Sequence, residues 1–458
     1  MPSYVPNTEE DRRTLLSALG IPSLEDLFFD IPADLRNPGL RLPSGLSELE
    51  LQREMARLAG RNRAVDQMPC FLGAGAYRHF IPSVVGALAS RGEFATAYTP
   101  YQPEISQGTL QAIFEFQSAM CHLTGMDVAN SGMYDGATAL AEAALMACRL
   151  TGRNKVAILS TVAPAWRGVV ETYAEGPEVQ IALMSPEGAK GGMQAAGAAS
   201  GPTALSTVAA AFDESYGCLV VQYPNFFGYL EDIERWAVLA HENGALLVVA
   251  AGLVPLGLLK PPGELGADIV VAEGQPLGQS TTFGGPYVGI FCARAQYVRQ
   301  MPGRIVGRTS DGQGRTGYVL TLQAREQHIR RERATSNICT SQALVALMNT
   351  IYLAALGPHG LREVAEQCYH KAHYLAAHLA KLPGYTLPLK GEFFHEFVVR
   401  CPEDPPAVNR RLLDAGIMGG LDVSEWIENG MLLCCTEVNT RSDIDRLVDE
   451  LRGMGLEA

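Results

Sequence analysis

Leu246–Cys292 reads LLVVAAGLVPLGLLKPPGELGADIVVAEGQPLGQSTTFGGPYVGIFC. Three apolar runs stand out in it: Leu246–Ala251, Asp268–Ala272 and Tyr287–Cys292, separated by loops rich in glycine and proline. The runs are 5 or 6 residues long, rich in Val and Ile, and lack polar alternation. Such runs predict strands buried on both faces, as in a mostly parallel sheet covered by helices.

The same rhythm extends outward. Residues 109–124 and 137–150 carry helical apolar spacing, Lys155–Ser160 and Cys218–Tyr223 read as strands, and Leu230–Glu242 reads as the helix before Leu246. Alternating strands and helices imply right-handed crossovers with helices on both sheet faces. These elements define a large α/β domain over residues 68–325. Residues 1–67 predict a helical arm. Asn7–Asp11 and Ser47–Glu50 start helices with acids in the first turn, and Ser23–Phe28 opens a short one that ends at Ile31-Pro32. An arm of this kind buries little by itself, so it is expected to cover another subunit or to cap the main domain. Residues 326–458 predict a smaller α+β domain. In it, helices at Cys339–Leu356 and Leu361–Leu382 are divided by Gly357-Pro358. Strands follow at 392–400, 417–423 and 431–436, with helices at 406–415 and 442–454. Pro186–Pro202 is a Gly/Ala/Ser-rich loop.

Composition narrows the function. A net charge of −13, with no long basic run, argues against a nucleic-acid partner. The ten cysteines form no CxxC and no zinc-spaced cluster, so no metal site is expected and a reducing compartment is. The N-terminus shows no signal-peptide core, and no apolar run is expected to reach bilayer length. A cytoplasmic protein without a membrane partner is predicted.

Polar residues concentrate in a few places. Tyr98-Thr-Pro-Tyr-Gln-Pro-Glu-Ile-Ser-Gln107 is stiffened by two prolines and offers Tyr98, Tyr101, Gln102, Glu104, Ser106 and Gln107 as pocket or interface residues. Arg304 and His328, the latter within Arg325–Arg330, could meet a carboxylate or an acidic carrier. Glu326 and Arg330 equally read as a plain i,i+4 helix pair. His79 reads as a structural histidine. Asn130–Thr138 places glycines and a hydroxyl at a helix start, a pattern shared by anion sites and by ordinary packing turns.

Long strings carry a more specific signal. They are Phe71–Pro82 (FLGAGAYRHFIP), Phe94–Gly108 (FATAYTPYQPEISQG), Tyr223–Gly228 (YPNFFG), Pro261–Asp268 (PPGELGAD), Met301–Gly307 (MPGRIVG), Gln323–Arg331 (QAREQHIRR) and Ala334–Thr340 (ATSNICT). In this order they resemble the P-protein family of the glycine cleavage system. Within that family they resemble the alpha chains found where the enzyme is split in two. The resemblance covers the whole chain.

The resemblance implies a fold-type I pyridoxal phosphate (PLP) transferase-like domain. It also implies a partner subunit that bears the PLP, and two of each chain. The implied reaction decarboxylates glycine and passes the aminomethyl group to the lipoyl arm of the H-protein, whose lipoamide is the co-substrate. The family's PLP subunit has a lysine in the turn after the second strand and an acid at the end of the first. Here Gln275-Pro276 and Val248-Val249-Ala250 stand in those places. The six lysines are 155, 190, 260, 371, 381 and 390, and none lies between 261 and 370. No catalytic residue and no bound cofactor are therefore expected on this chain, and no activity without its partner. By the same resemblance, the stretch from Tyr98 to Gln107 lines an active site near a subunit interface. A structural or regulatory pseudo-enzyme, or a stand-alone enzyme using a degenerate pocket, remains open at this point.

Overall fold

The computed structural model describes residues 7–36, 38–39, 41–95, 99–185, 188–189 and 201–454. Tyr98 and most of the stretch 186–202 lie outside the described residues. The chain divides into two units, Met1–Ala64 and Val65–Ala458.

The first unit holds helices Glu9–Leu19 and Glu48–Ala59 and a short 3-10 turn at Leu24–Phe28. Thr8 with Asp11, and Ser47 with Glu50, form reciprocal caps that satisfy the free N–H groups of each first turn. None of its helical residues is buried. Leu19 and Phe29 are 62% and 82% exposed.

In the second unit, eight strands form one sheet: β1 (Val128–Ala129), β2 (Lys155–Leu159), β3 (Gln180–Ser185), β4 (Gly188–Ala189), β5 (Cys218–Tyr223), β6 (Leu246–Ala251), β7 (Ile269–Glu273) and β8 (Gly289–Ala293). Their order is β1-β8-β7-β6-β5-β2-β3-β4. Strands β3, β2, β5, β6 and β7 are mutually parallel. The last of the three apolar runs departs from this pattern, because β8 returns antiparallel to β7 and pairs Ala272 with Ile290. Burial follows the composition: Val220, Val248, Val249, Val270 and Val271 have no exposed surface. Helix Gly136–Thr151 packs on β6, β7 and β8 through a nearly continuous alanine face, which lets it approach closely. Its start is fixed by Asp135, which accepts from Thr138 N–H at 2.8 Å.

Three elements had no clear sequence signal: helix Pro164–Glu175, strand β3, and a hairpin of β9 (Ile305–Ser310) with β10 (Thr316–Thr321). The hairpin packs on helix Gln107–Thr124, where Leu110, Ile113, Val306 and Leu320 form a small separate core.

The C-terminal part builds a three-stranded antiparallel sheet, β11 (Glu396–Arg400), β13 (Gly430–Cys434) and β12 (Leu421–Asp422), with β13 in the centre. Helices Pro405–Asp414 and Arg441–Met454 share a second core with it. The strand expected over 417–423 shrinks to Leu421–Asp422. Helix Ala343–Leu379 breaks at Gly357, whose φ of 62° and ψ of −178° precede Pro358. It also corrects one expectation, because it is long and apolar enough to cross a membrane by length and composition. Val345, Ala346, Leu347, Tyr352, Leu361 and Ala365 are buried in the protein, and 33% of its most apolar window is buried. All ten cysteines are free thiols.

Candidate functional site

Open α/β sheets leave a crevice beyond the carboxyl ends of their strands, where chain order reverses. Here chain order runs outward in opposite directions from the paired strands β2 and β5, and a cavity of about 60 Å³ opens beyond β5, β6 and β7. Gln222 and Asn225 come from the end of β5, Ala250 and Ala251 from β6, and Glu273 and Pro276 from β7. Tyr77, Trp166, His395 and Glu396 close the other walls. No lysine or arginine lines the cavity among the described residues.

Glu273 ends β7 and turns toward the start of helix Gly136–Thr151. Gly136 N–H donates to its Oε2 at 2.9 Å, and Gln275 and Val288 N–H donate to Oε1 at 3.1 and 3.3 Å. The end of a helix that receives anions is thus met by a carboxylate of the chain itself. Burial still dominates and pushes the Glu273 carboxyl up to about 7, against the three N–H donors. A Cβ at Gly136 would run into the Trp166 ring, so the indole covers the same helix start.

Gln275 is fully buried. Its amide nitrogen donates to the carbonyls of Tyr77 (2.8 Å) and Gln279 (2.9 Å), and its oxygen accepts from Tyr77 N–H (2.9 Å). Pro276 beside it lines the cavity. Ala250 is buried there without a polar atom on its side chain.

Glu396, at the first position of β11, accepts from Ala74 N–H at 2.6 Å and from the Tyr77 hydroxyl at 2.7 Å. Burial pushes this carboxyl up to about 7, opposed by those two donors. His395 precedes it, with its ring edge-on to Tyr77 at 4.7 Å between centroids. Both His395 ring nitrogens lack a partner, and burial drives the imidazole down to about 3, leaving it neutral. His79 forms a buried pair with Glu437, Nδ1 to Oε2 at 2.7 Å. Cys368 Sγ lies 3.5 Å from the same oxygen, so these three groups have the spacing of metal ligands. Phe80 N–H takes the second Glu437 oxygen, and burial holds the Cys368 thiol protonated; the trio is a satisfied hydrogen-bonded pair beside a thiol.

The residues singled out in the sequence gather elsewhere. Tyr101, Arg304 and His328 meet: Arg304 Nη2 donates to the Tyr101 hydroxyl at 2.9 Å and Tyr101 meets His328 edge-on at 5.6 Å. Glu326 joins them, pairing with Arg304 at 3.3 Å rather than with Arg330, whose Nε turns to the Ala324 carbonyl. Gln107 ties to the Tyr318 backbone by bonds of 2.9 Å in both directions. Gln102 and Glu104 are exposed and Ser106 is half-buried. None of these residues lines the cavity. Of the polar residues that do line it, His79 was read as structural, and Glu273, His395 and Glu396 went unmarked, though two signals were present. Glu273 closes an otherwise apolar strand, and His395-Glu396 interrupts the apolar run Phe393–Val399. Buried charge of this kind needs a reason.

Against known proteins, residues 2–451 match the family model for the glycine cleavage system P-protein. The chain belongs to the glycine cleavage system P-protein family. It is 51% identical over 452 residues to a probable glycine dehydrogenase (decarboxylating) subunit 1 of Desulforamulus reducens, covering 98% of this chain and 99% of that one. It is 51% identical over 454 residues to the protein of the same name from Thermomicrobium roseum, with 98% and 99% covered. A crystal structure of glycine decarboxylase (P-protein) of the glycine cleavage system, in inhibitor-bound form, superposes with a TM-score of 0.90 at 45% identity, covering 99% of this chain and 100% of that one. Glutamate decarboxylase of Lactobacillus brevis, at 15% identity and a TM-score of 0.64 over 92% of this chain and 95% of that one, shares the fold alone. The fold is that of the fold-type I PLP-dependent enzymes.

Proposed function

We propose that this chain is the subunit of a glycine-decarboxylating P-protein that holds no coenzyme, and that it completes the enzyme with a PLP-bearing second subunit. The assembled enzyme, an oxidoreductase, releases CO2 from glycine and passes the aminomethyl group to the lipoyl arm of the H-protein. Two copies of each chain and a cytoplasmic location accompany this reading.

The observation that carries it is Gln275. It occupies the turn after β7 with its whole amide committed to Tyr77 and Gln279, followed by a proline. PLP requires an amine to hold its aldehyde carbon, an acid for its ring nitrogen and an anion site for its phosphate. The cavity offers no amine, has no acid at the end of β6 where Ala250 and Ala251 line it, and covers the helix start with Glu273 and Trp166. The residues present do not fit PLP.

What this chain contributes is then surface and scaffold. In the Tyr101–Arg304–His328 cluster, Tyr101 and His328 are exposed and Arg304 is buried behind them; the cluster is suited to a neighbouring active site, and Arg304 and His328 to an acidic carrier. Tyr98, by its sequence position, and Gln102, Glu104, Ser106 and Gln107 belong to the same segment. The N-terminal arm, with no buried helical residue, is suited to cover the partner. Expression of this chain with and without the second subunit tests the reading. Coenzyme absorbance and glycine-dependent CO2 release should appear only when the two chains co-elute on sizing. Coenzyme retained by this chain alone, or full turnover by the second subunit alone, would overturn it.

A further inference from the structure

The cavity collects acceptors, and its basic side chains among the described residues are two histidines: His395, and His79, whose Nδ1 is taken up by Glu437. Glu273 and Glu396 both line it, with no lysine or arginine among the described lining residues. Among the described residues, the hydrogen-bond partners of both carboxylates are neutral donors: backbone N–H groups and the Tyr77 hydroxyl. A carboxylate has about four lone-pair sites, so both retain capacity. His395 is a second, separate observation. It is 7% exposed, lines the cavity, and leaves both ring nitrogens without a partner. A buried imidazole costs stability unless it is satisfied. A neutral imidazole offers one nitrogen as acceptor. Tyr77, Trp166 and Phe226 add aromatic walls of the kind that attract cations.

From these groups, we infer that the cavity binds a small primary ammonium ion, its N–H donors shared among Glu396, Glu273 and the open nitrogen of His395. Three donors meet three kinds of acceptor, and the positive charge supplies what two buried acids lack. Burial raises both carboxyls to about 7, which is the response of acids with no cation to face. A phosphate ester is repelled by the same pair. A quaternary ammonium carries the same charge but none of the N–H donors that these acceptors would share. The inference rests on this chain's own residues and holds whichever reaction the assembled enzyme performs.

The test uses the purified full-length chain without a partner. Methylammonium chloride, tetramethylammonium chloride and sodium phosphate are titrated calorimetrically at slightly alkaline pH and matched ionic strength. Methylammonium should bind saturably, one per chain, while the other two give no saturable heat. Glu396→Gln should weaken methylammonium by about tenfold, the worth of one charge-assisted hydrogen bond. Glu273→Gln provides a second reading on the opposite wall should the first variant fold poorly. No saturable binding of methylammonium to the wild type, unchanged affinity in a folded variant of either acid, or competition by phosphate for the same site would overturn the inference.

Discussion

Gln275 and Tyr77 clasp each other through two hydrogen bonds: Tyr77 N–H donates to Gln275 Oε1 at 2.9 Å, and Gln275 Nε2 donates to the Tyr77 carbonyl at 2.8 Å. A primary amide presents a donor and an acceptor side by side, which matches the N–H and C=O of one residue; an ammonium group presents donors only. The exchange therefore holds the segment that carries Tyr77 and His79 against the end of β7. Gln275→Ala removes both bonds, together with the one to the Gln279 carbonyl, and leaves the Tyr77 N–H and C=O without these partners. The expected cost is about 2 kcal/mol, read from urea unfolding of the full-length chain. A loss under about 0.5 kcal/mol would show that water replaces the clasp without penalty.

Restoring an amine at that position does not restore a coenzyme site. Gln275→Lys supplies the nitrogen, but Glu273 still meets Gly136 N–H, Trp166 still covers the helix start and Ala250 still offers no acid. The purified variant, incubated with PLP and desalted, should show no coenzyme absorbance. Stoichiometric retention would mean that the missing lysine was the sole defect.

The centre of the sheet was legible because its strands are continuous apolar runs: β5 and β6 follow the pattern residue for residue, and β7 is offset from it by one residue. The hairpin β9–β10 was not, because Gly307, Arg308 and Thr309 break any alternation and only β10 and helix Gln107–Thr124 make sense of it. The site was half legible. Gln275-Pro276 could be placed by resemblance, since a turn between two strands keeps its register. Glu396 and His395 could not, because they reach the cavity from β11, more than 100 residues away in sequence. Arg304 and Glu326 illustrate the same limit. Local spacing favoured Glu326 with Arg330, and the fold pairs it with a cation from β9's approach instead.

Glu396 should make the chain less stable as pH rises. Its carboxyl sits at about 7 in the folded protein, against an ordinary value near 4.5. Between those values the folded state holds a proton that the unfolded chain has released. The stabilisation is complete below about 4.5, falls as pH rises, and is gone above about 7, with a size on the order of 3 kcal/mol. Glu273 acts in the same sense. His395, held neutral down to about 3, acts in the opposite sense and only on the acid side of its ordinary value of 6.5. Glu396→Gln has no charge to bury, so its unfolding free energy should fall less than the wild type's between about pH 5 and about pH 8. Parallel curves for the two proteins would rule out a protonated Glu396.

Arg304 is held from two sides, by the Tyr101 hydroxyl at 2.9 Å and by Glu326 at 3.3 Å, and the two contacts predict different losses. Tyr101 is 45% exposed, so Tyr101→Phe removes one hydroxyl at a surface and keeps the ring against His328. Stability should change by less than about 1 kcal/mol. If the cluster faces the partner's coenzyme, glycine turnover by the assembled enzyme should still fall by about tenfold, since a loosened guanidinium no longer points at one place. Arg304→Met strips the cation from Glu326, which is 7% exposed, and should destabilise the chain itself by about 3 kcal/mol or more. Measuring unfolding and turnover on both variants separates the roles. Tyr101→Phe with full turnover would reduce the cluster to a fold-stabilising pair, whereas turnover lost at unchanged stability places Tyr101 against the reacting site of the complex.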